Sequence, residues 1–281
     1  MRVLDAFAGC GGVHLAFEQA GFETALAVDS DANCATTYRH NFPRVAFKHA
    51  PLESLTLDEL PPFEIFAGGF PCQPWSVAGK RKGYSDPRGQ LVVAMLDLIR
   101  AKTPAVVFLE NVKPFLTFGG GQAFASLRDD LNSMGYSVTH KVMNTRAYTD
   151  LPQNRERVFV VAFRDASAFG RFVWPEPRAG HTPSPFAEFL TPSADVPTKY
   201  NAKTSWKVWP LLRDSVKRED AVYQYRRNHV RENKSGCVPT LMANMGSGGH
   251  NVPFVRQDGR IRRLTPTETF RFQGFPIDDG A

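Results

Sequence analysis

The first 29 residues carry a strand, a glycine turn, a helix and a second strand, and this unit constrains everything that can be built after it. Arg2-Val-Leu-Asp-Ala-Phe7 is a short apolar run, Gly9, Gly11 and Gly12 break it, and a helical pattern runs from Val13 to Ala20. Gly21 stands where a left-handed helix end is wanted, and Thr24-Ala-Leu-Ala-Val28 supplies the second strand, which ends on Asp29. Further strands are expected at 63–67, 105–109 and 158–163, with a strongly helical stretch from Leu91 to Arg100. Strands alternating with helices predict an α/β fold, a mostly parallel, doubly wound sheet whose ligands bind beyond the carboxyl ends of its strands. After Arg164 the pattern becomes Pro-rich, aromatic and basic, as in Trp174-Pro-Glu-Pro-Arg178. A boundary near 165–175 and a smaller second domain are therefore expected, with the C-terminal stretch returning to the first.

Composition narrows the class. Of 281 residues, 42% are hydrophobic and 22% charged, which fits a folded globular chain and excludes a disordered or fibrous one. The N-terminus does not read as a secretory leader and no apolar run reaches membrane-spanning length, so a cytoplasmic protein with no membrane partner is expected. Cys10, Cys34, Cys72 and Cys237 lie far apart, none at CxxC spacing, which argues against a disulfide framework; Cys10 and His14 have no second ligand pair, so no metal is expected. Residues 1–165 carry 17 Lys+Arg against 17 Asp+Glu, whereas 166–281 carry 17 against 11, so the whole formal charge of +6 is C-terminal. A neutral catalytic domain joined to a polyanion-binding part would look like this, and so would a solvated basic surface.

Four elements carry candidate chemistry. Asp5-Ala-Phe-Ala-Gly-Cys-Gly-Gly12 puts glycines directly after a strand, where backbone can approach a nucleoside closely, and Asp29 follows Gly9 by 20 residues at a strand end suited to ribose hydroxyls. His14 breaks the GxGxxG pattern, so a phosphate-free adenosyl ligand fits better than a dinucleotide; a glycine turn with no ligand is the plain alternative. Gly68-Gly-Phe-Pro-Cys-Gln-Pro-Trp-Ser76 places Cys72 between prolines beyond the third expected strand, although a lone cysteine is more commonly an inert buried hydrophobe. Glu110 and Asn111 end the next strand; a carboxyl buried there can donate a proton near neutral pH, while an exposed one is an ordinary surface acid. Finally, Arg155 and Arg157 in Leu151-Pro-Gln-Asn-Arg-Glu-Arg157 would point to one side of an extended segment, as substrate ligands or as a surface ion-pair strand.

Taken together, in this order, these motifs resemble the cytosine-5 DNA methyltransferase family, as do Asp86-Pro-Arg-Gly-Gln-Leu91, Arg263-Leu-Thr-Pro-Thr-Glu268 and Gln273-Gly-Phe-Pro276. The resemblance spans essentially the whole chain. It implies a Rossmann-like fold that binds S-adenosylmethionine, with catalytic residues 1–167, a target-recognition region at 168–255 and a return to the catalytic domain at 256–281. By that likeness Phe7, Gly9, Gly11, Gly12, Asp29, Ser30 and Leu91 line the cofactor site. Cys72 would be the nucleophile, Glu110 would contact the ring nitrogen of a flipped cytosine and Arg157 its exocyclic oxygen, with Arg155 in the same catalytic set. The partner is double-stranded DNA, in a modification system. RNA methylation is the rival within enzymes, and a non-catalytic subunit of a two-chain enzyme is the rival outside them.

Two departures stand out. Ala50 occupies a position usually acidic in the family, with Glu53 nearby, and the family's closing Gly-Asn-Ser/Ala-Val segment has no counterpart before Ala281. A fragmentary sequence, a second chain supplying that segment, or a weakened relative would each account for it, and each predicts poor cofactor binding by this chain alone.

Overall fold

The structure is a computed structural model that describes residues 1–71, 87–233, 235–243, 245 and 252–277. Cys72 lies outside the described residues, as do 244 and 246–249 of the Leu241–Gly249 stretch that the family resemblance places in the recognition region. The chain divides into two compact units, residues 1–142 with 157–174, and residues 143–156 with 175–281.

In the first unit, β1 (Arg2–Ala6), β2 (Glu23–Asp29), β3 (Phe47–His49), β4 (Ile65–Gly68), β5 (Val106–Val112), β6 (Ser137–Asn144) and, after the two-residue β7 (Gln153–Asn154), β8 (Glu156–Phe163) are the strands. All but β7 form one seven-stranded sheet in the order β3-β2-β1-β4-β5-β8-β6. The run from β3 to β5 is parallel, and β8 is antiparallel to β5. The order reverses at β1, which puts a crevice beyond the carboxyl ends of β1 and β4. Helices α1 (Gly12–Gln19), α2 (Ala32–Asn41), α3 (Pro87–Lys102) and α4 (Gln122–Ser133) make the crossovers and flanks. Central strands covered on both faces read as continuous apolar runs; Val3, Leu4, Ala6, Phe66, Ala67, Val107 and Leu109 are all fully buried. Gly68 is obligatory there, since a Cβ would sit 2.2 Å from the Ala6 carbonyl oxygen.

The second unit holds α5 (Thr145–Tyr148), β7, α7 (Trp209–Ser215) and α8 (Pro266–Arg271); the short α6 (Ala166–Arg171) belongs to the first. Its antiparallel sheet runs β10-β9-β12-β13, built from β9 (Val222–Arg226), β10 (His229–Asn233), β12 (Val252–Gln257) and β13 (Arg260–Arg263). The two-residue β11 (Val238–Pro239) pairs in parallel with β7. Residues 256–277 group with this unit for a clear physical reason: β13 pairs with β12, and the Gln153 side-chain amide donates to the Phe272 carbonyl at 2.8 Å. Among the described residues no helix is long and apolar enough to cross a membrane, and no group of three His, Cys, Asp or Glu could hold a metal.

Candidate active site

The loop after β1 is built around Asp29, the last residue of β2. One Asp29 carboxylate oxygen accepts the Gly9 backbone N–H and the other that of Asp31, each at 2.8 Å. Asp31 then caps α2 by accepting the Asn33 and Cys34 N–H groups at 2.8 and 3.0 Å. Phe7 adopts a left-handed backbone (φ 62°), as do Gly9 (55°) and Gly11 (93°), so the chain turns sharply off the sheet. A Cβ at Gly9 would meet nothing within 4 Å, which leaves open space beside the Asp29 carboxylate. Residues 3–38 contain no Lys or Arg, and the His14 side chain is buried against Thr24 (Nδ1 to Oγ1, 2.8 Å). The residues therefore fit an uncharged ribose and adenosine far better than a pyrophosphate. Gly12 is exposed at the start of α1, Leu91 packs from α3 against the main core, and the Ser30 carbonyl is met by His49 Nε2 at 3.1 Å. Ala50 takes the Asp29 carbonyl (3.1 Å) through its backbone, and Glu53 is exposed.

Beneath this loop lies an unusual polar group. Asp5 is fully buried in β1 with neither carboxylate oxygen in a hydrogen bond of good geometry, and the Nε2 of His14 and the Tyr38 hydroxyl are likewise buried without one. Burial pushes the Asp5 carboxyl from 3.8 up to about 8, offset only in part by the nearby His14 backbone N–H, and pushes the His14 imidazole down. The folded chain thus holds a proton on Asp5 that the unfolded chain has lost, and stability must fall as pH rises from about 4 to about 8. Below the ordinary histidine value His14 acts in the opposite sense, so the clean window is pH 6.5–8. Asp5→Asn is expected to gain about 2 kcal/mol on the wild type across that window in urea unfolding, at roughly 1.4 kcal/mol per pH unit. A difference independent of pH would contradict this.

The second cluster stands at β4, β5 and β8. The register places Val112 opposite Arg157, and the Arg157 Nε reaches back to Glu110 Oε1 at 2.8 Å, both side chains largely buried. Glu110 Oε2 faces Gly69, where a Cβ would come within 3.2 Å. Asn111, buried beside it, donates from Nδ2 to the Phe70 carbonyl at 3.0 Å. The Asn111 bond fastens the Phe70 carbonyl to β5 beside Glu110, two residues ahead of Cys72 in the sequence. Arg155 belongs to the other unit, where its backbone N–H donates to Asn144 Oδ1 (3.1 Å) and its carbonyl accepts from Thr145. Sequence reasoning missed the pinning role of Asn111 and the close approach at Gly69. Their only sequence signals were an amide beside a strand acid and a double glycine.

A mostly parallel sheet of this order, with an acidic β2 terminus and a carboxylate–guanidinium pair between β5 and β8, defines a Rossmann-like methyltransferase fold. Solved structures agree. The chain superposes on the S. pombe Dnmt2 methyltransferase with a TM-score of 0.73 at 18% identity, over 98% of this chain and 87% of that one. It matches Entamoeba histolytica EhMeth at 0.70 and 19%, over 100% and 89%. In sequence it is 39% identical to the Type II methyltransferase M.Bsp6I of Bacillus sp. (strain RFL6), over 99% of this chain and 88% of that protein. It is 30% identical to the Type II methyltransferase M.HhaI of Haemophilus parahaemolyticus, over 98% and 84%. The model of the C-5 cytosine-specific DNA methylases matches residues 1–278. The chain belongs to that family and is a DNA cytosine-5 methyltransferase.

Proposed function

We propose that the chain transfers a methyl group from S-adenosylmethionine to carbon 5 of a cytosine rotated out of duplex DNA, with Cys72 adding covalently to carbon 6. The observation that carries this reading is the Glu110–Arg157 pair, held at 2.8 Å and seated against Gly69, three residues before Cys72. Carbon 5 of cytosine is too weak a nucleophile to take a methyl group unaided. Thiolate addition at carbon 6, with Glu110 meeting the ring nitrogen and Arg157 the exocyclic oxygen, turns carbon 5 into an enamine carbon. Loss of the carbon 5 proton then restores the double bond and expels Cys72. The base must leave the stack to reach such a pocket, at a cost of about a few kcal/mol.

When bound, S-adenosylmethionine supplies the electrophilic methyl group. Phe7, Gly9, Gly11 and Gly12 would line its site with Ser30 and Leu91, and Asp29 would accept both ribose hydroxyls. Asp29→Asn is expected to weaken cofactor binding about 10- to 100-fold, the loss of charge-assisted hydrogen bonds, while kcat at saturating cofactor stays within about threefold. Calorimetric titration and initial rates check it; unchanged affinity would remove Asp29 from the site.

Residues 168–255 serve as the DNA-reading part and 1–167 as the catalytic part. A cavity of about 290 Å³ in the second unit, lined by Gln224, Arg226, Arg231, Asn233 and Thr240, supports that assignment. Guanidinium and amide groups in a concave surface match the donors and acceptors of base edges. The test is to incubate the chain with duplex DNA and the cofactor and map the product by bisulfite sequencing. The expected result is 5-methylcytosine at one position of a recurring sequence. Methylation elsewhere on the base, or of RNA alone, would overturn the reading.

A further inference from the structure

The geometry assigns Gln153 a positioning role in target recognition: its buried amide fixes one side of the base-reading cavity, so that its loss relaxes the choice of DNA sequence without touching the chemistry of transfer. The role rests on the reading of residues 168–255 as the DNA-reading part. It falls to a residue that is only 1% exposed and so does not itself meet DNA.

The Gln153 Nε2 donates to the Phe272 carbonyl at 2.8 Å, and its Oε1 accepts the Leu241 N–H at 3.3 Å. One amide thereby ties segments that lie 119 and 88 residues away in sequence. Its orientation is unique, since turning the amide over would set N–H against N–H and carbonyl against carbonyl. Around it the Val238, Leu241 and Phe272 side chains are buried in one apolar cluster with Val222, the first residue of β9.

The chain around β11 depends on this amide because its own ladder is short. In the parallel pairing of β7 with β11, Val238 stands opposite Gln153 and Pro239 opposite Asn154, and the Val238 N–H donates to the Pro152 carbonyl at 2.7 Å. The next rung would join the Thr240 N–H to the Asn154 carbonyl. Instead the Thr240 hydroxyl donates to that carbonyl at 2.8 Å, and the Leu241 N–H goes to Gln153. From Thr240 on, side chains hold the segment in place.

That segment is part of the cavity of about 290 Å³. Asn154, Pro239, Thr240 and Met242 line it together with residues of the β9–β10 hairpin, Arg226 and Arg231 among them. The register sets Arg231 opposite Gln224, two residues before Arg226 on β9, so both guanidinium groups belong to one face of the hairpin. A bidentate contact to a base edge discriminates about 10- to 100-fold against the wrong base, provided its donors are held in place. Gln153→Met keeps the length of the side chain but leaves the Leu241 N–H and the Phe272 carbonyl buried without that partner. The lining from Thr240 to Met242 is then free to shift, and wrong bases are admitted.

The test compares the wild type with Gln153→Met on the target found by bisulfite mapping and on duplexes that differ from it by one base pair away from the methylated cytosine. The expected result is a fall of at least tenfold in discrimination at one or more positions, carried by a raised KM for the target. At saturating DNA kcat should stay within about threefold, and S-adenosylmethionine affinity should not change. A structural defect alone lowers the active fraction and cuts the rate on every duplex by the same factor, so equal losses on target and altered duplexes would overturn the role. Thr240→Val removes the bond to Asn154 at the exposed end of the same segment, and a loss of discrimination of about threefold or more is expected from it. Should Gln153→Met not fold, unchanged discrimination in Thr240→Val overturns the role. Arg231→Ala separates the role from the reading beneath it. A change in discrimination in Arg231→Ala but in neither other variant would sink the positioning role alone, and no change in any of the three would sink the cavity's part in recognition as well.

Discussion

Serine at position 72 is expected to lower methyl transfer to duplex DNA by about 10³-fold or more while DNA affinity changes little. A serine hydroxyl is slightly smaller than a thiol, so the substitution adds no bulk. What changes is acidity and polarisability: a thiol reaches its anion near neutral pH, and a hydroxyl does not. If the attack of Cys72 on carbon 6 is what activates carbon 5, its loss cannot be made up by Glu110 and Arg157, which engage the ring but add no electrons to it. Single-turnover transfer, measured beside DNA binding, separates the two effects. Activity within about tenfold of the wild type would remove Cys72 as the nucleophile.

The largest stability effect is expected in the second unit. Arg262 and Glu268 are 2% and 0% exposed and meet through two hydrogen bonds of 2.9 and 2.7 Å. The Glu268 carboxylate also accepts the backbone N–H groups of Thr265 (2.7 Å) and Thr191 (2.8 Å), and Arg262 donates to Gln257 as well. With its capping-box partner Thr265, Glu268 thus fastens α8, β12, β13 and the Thr191 loop at one point. Truncating one member of a buried pair leaves the other charged and unpaired. Glu268→Ala is expected to cost about 3–5 kcal/mol in urea unfolding. Hydrogen exchange should rise in β12 and β13 while β1 and β4 keep their protection. A loss below about 1 kcal/mol, or one spread evenly over both units, would contradict this role.

The parts of the fold that were legible in the sequence are those set by local periodicity. The strand–glycine–helix–strand opening, the apolar runs at 65–67 and 106–109 and the helix around Leu91–Arg100 stand where the pattern puts them. Asp29 at a strand end was readable from spacing, because a crossover helix fixes the distance between β1 and β2. Non-local pairing was not readable. The sequence ends β5 at Leu109, but antiparallel β8 carries the ladder on to Val112, so Glu110 lies within the strand and Arg157 is delivered to it from 47 residues away. An apolar run at 158–163 looks the same whether it runs parallel or antiparallel. β6, with its half-buried Ser-Val-Thr-His-Lys-Val-Met-Asn, shows no clean alternation. The stretch 143–156 joins the second unit through β7 pairing with β11 and through Gln153, contacts that span 85 residues or more.

The central claim is covalent attack on a DNA cytosine, and 5-fluorocytosine tests it most directly. Fluorine in place of the carbon 5 proton cannot leave as that proton does, so the adduct formed after methyl transfer persists. Duplex DNA carrying 5-fluorocytosine at the methylated position, incubated with the chain and S-adenosylmethionine, is predicted to give a denaturation-stable complex. Peptide mapping should place the bond on Cys72, and neither Cys72→Ser nor an RNA duplex should form it. The absence of any adduct on DNA the chain methylates, or a bond to a residue other than Cys72, would contradict the account.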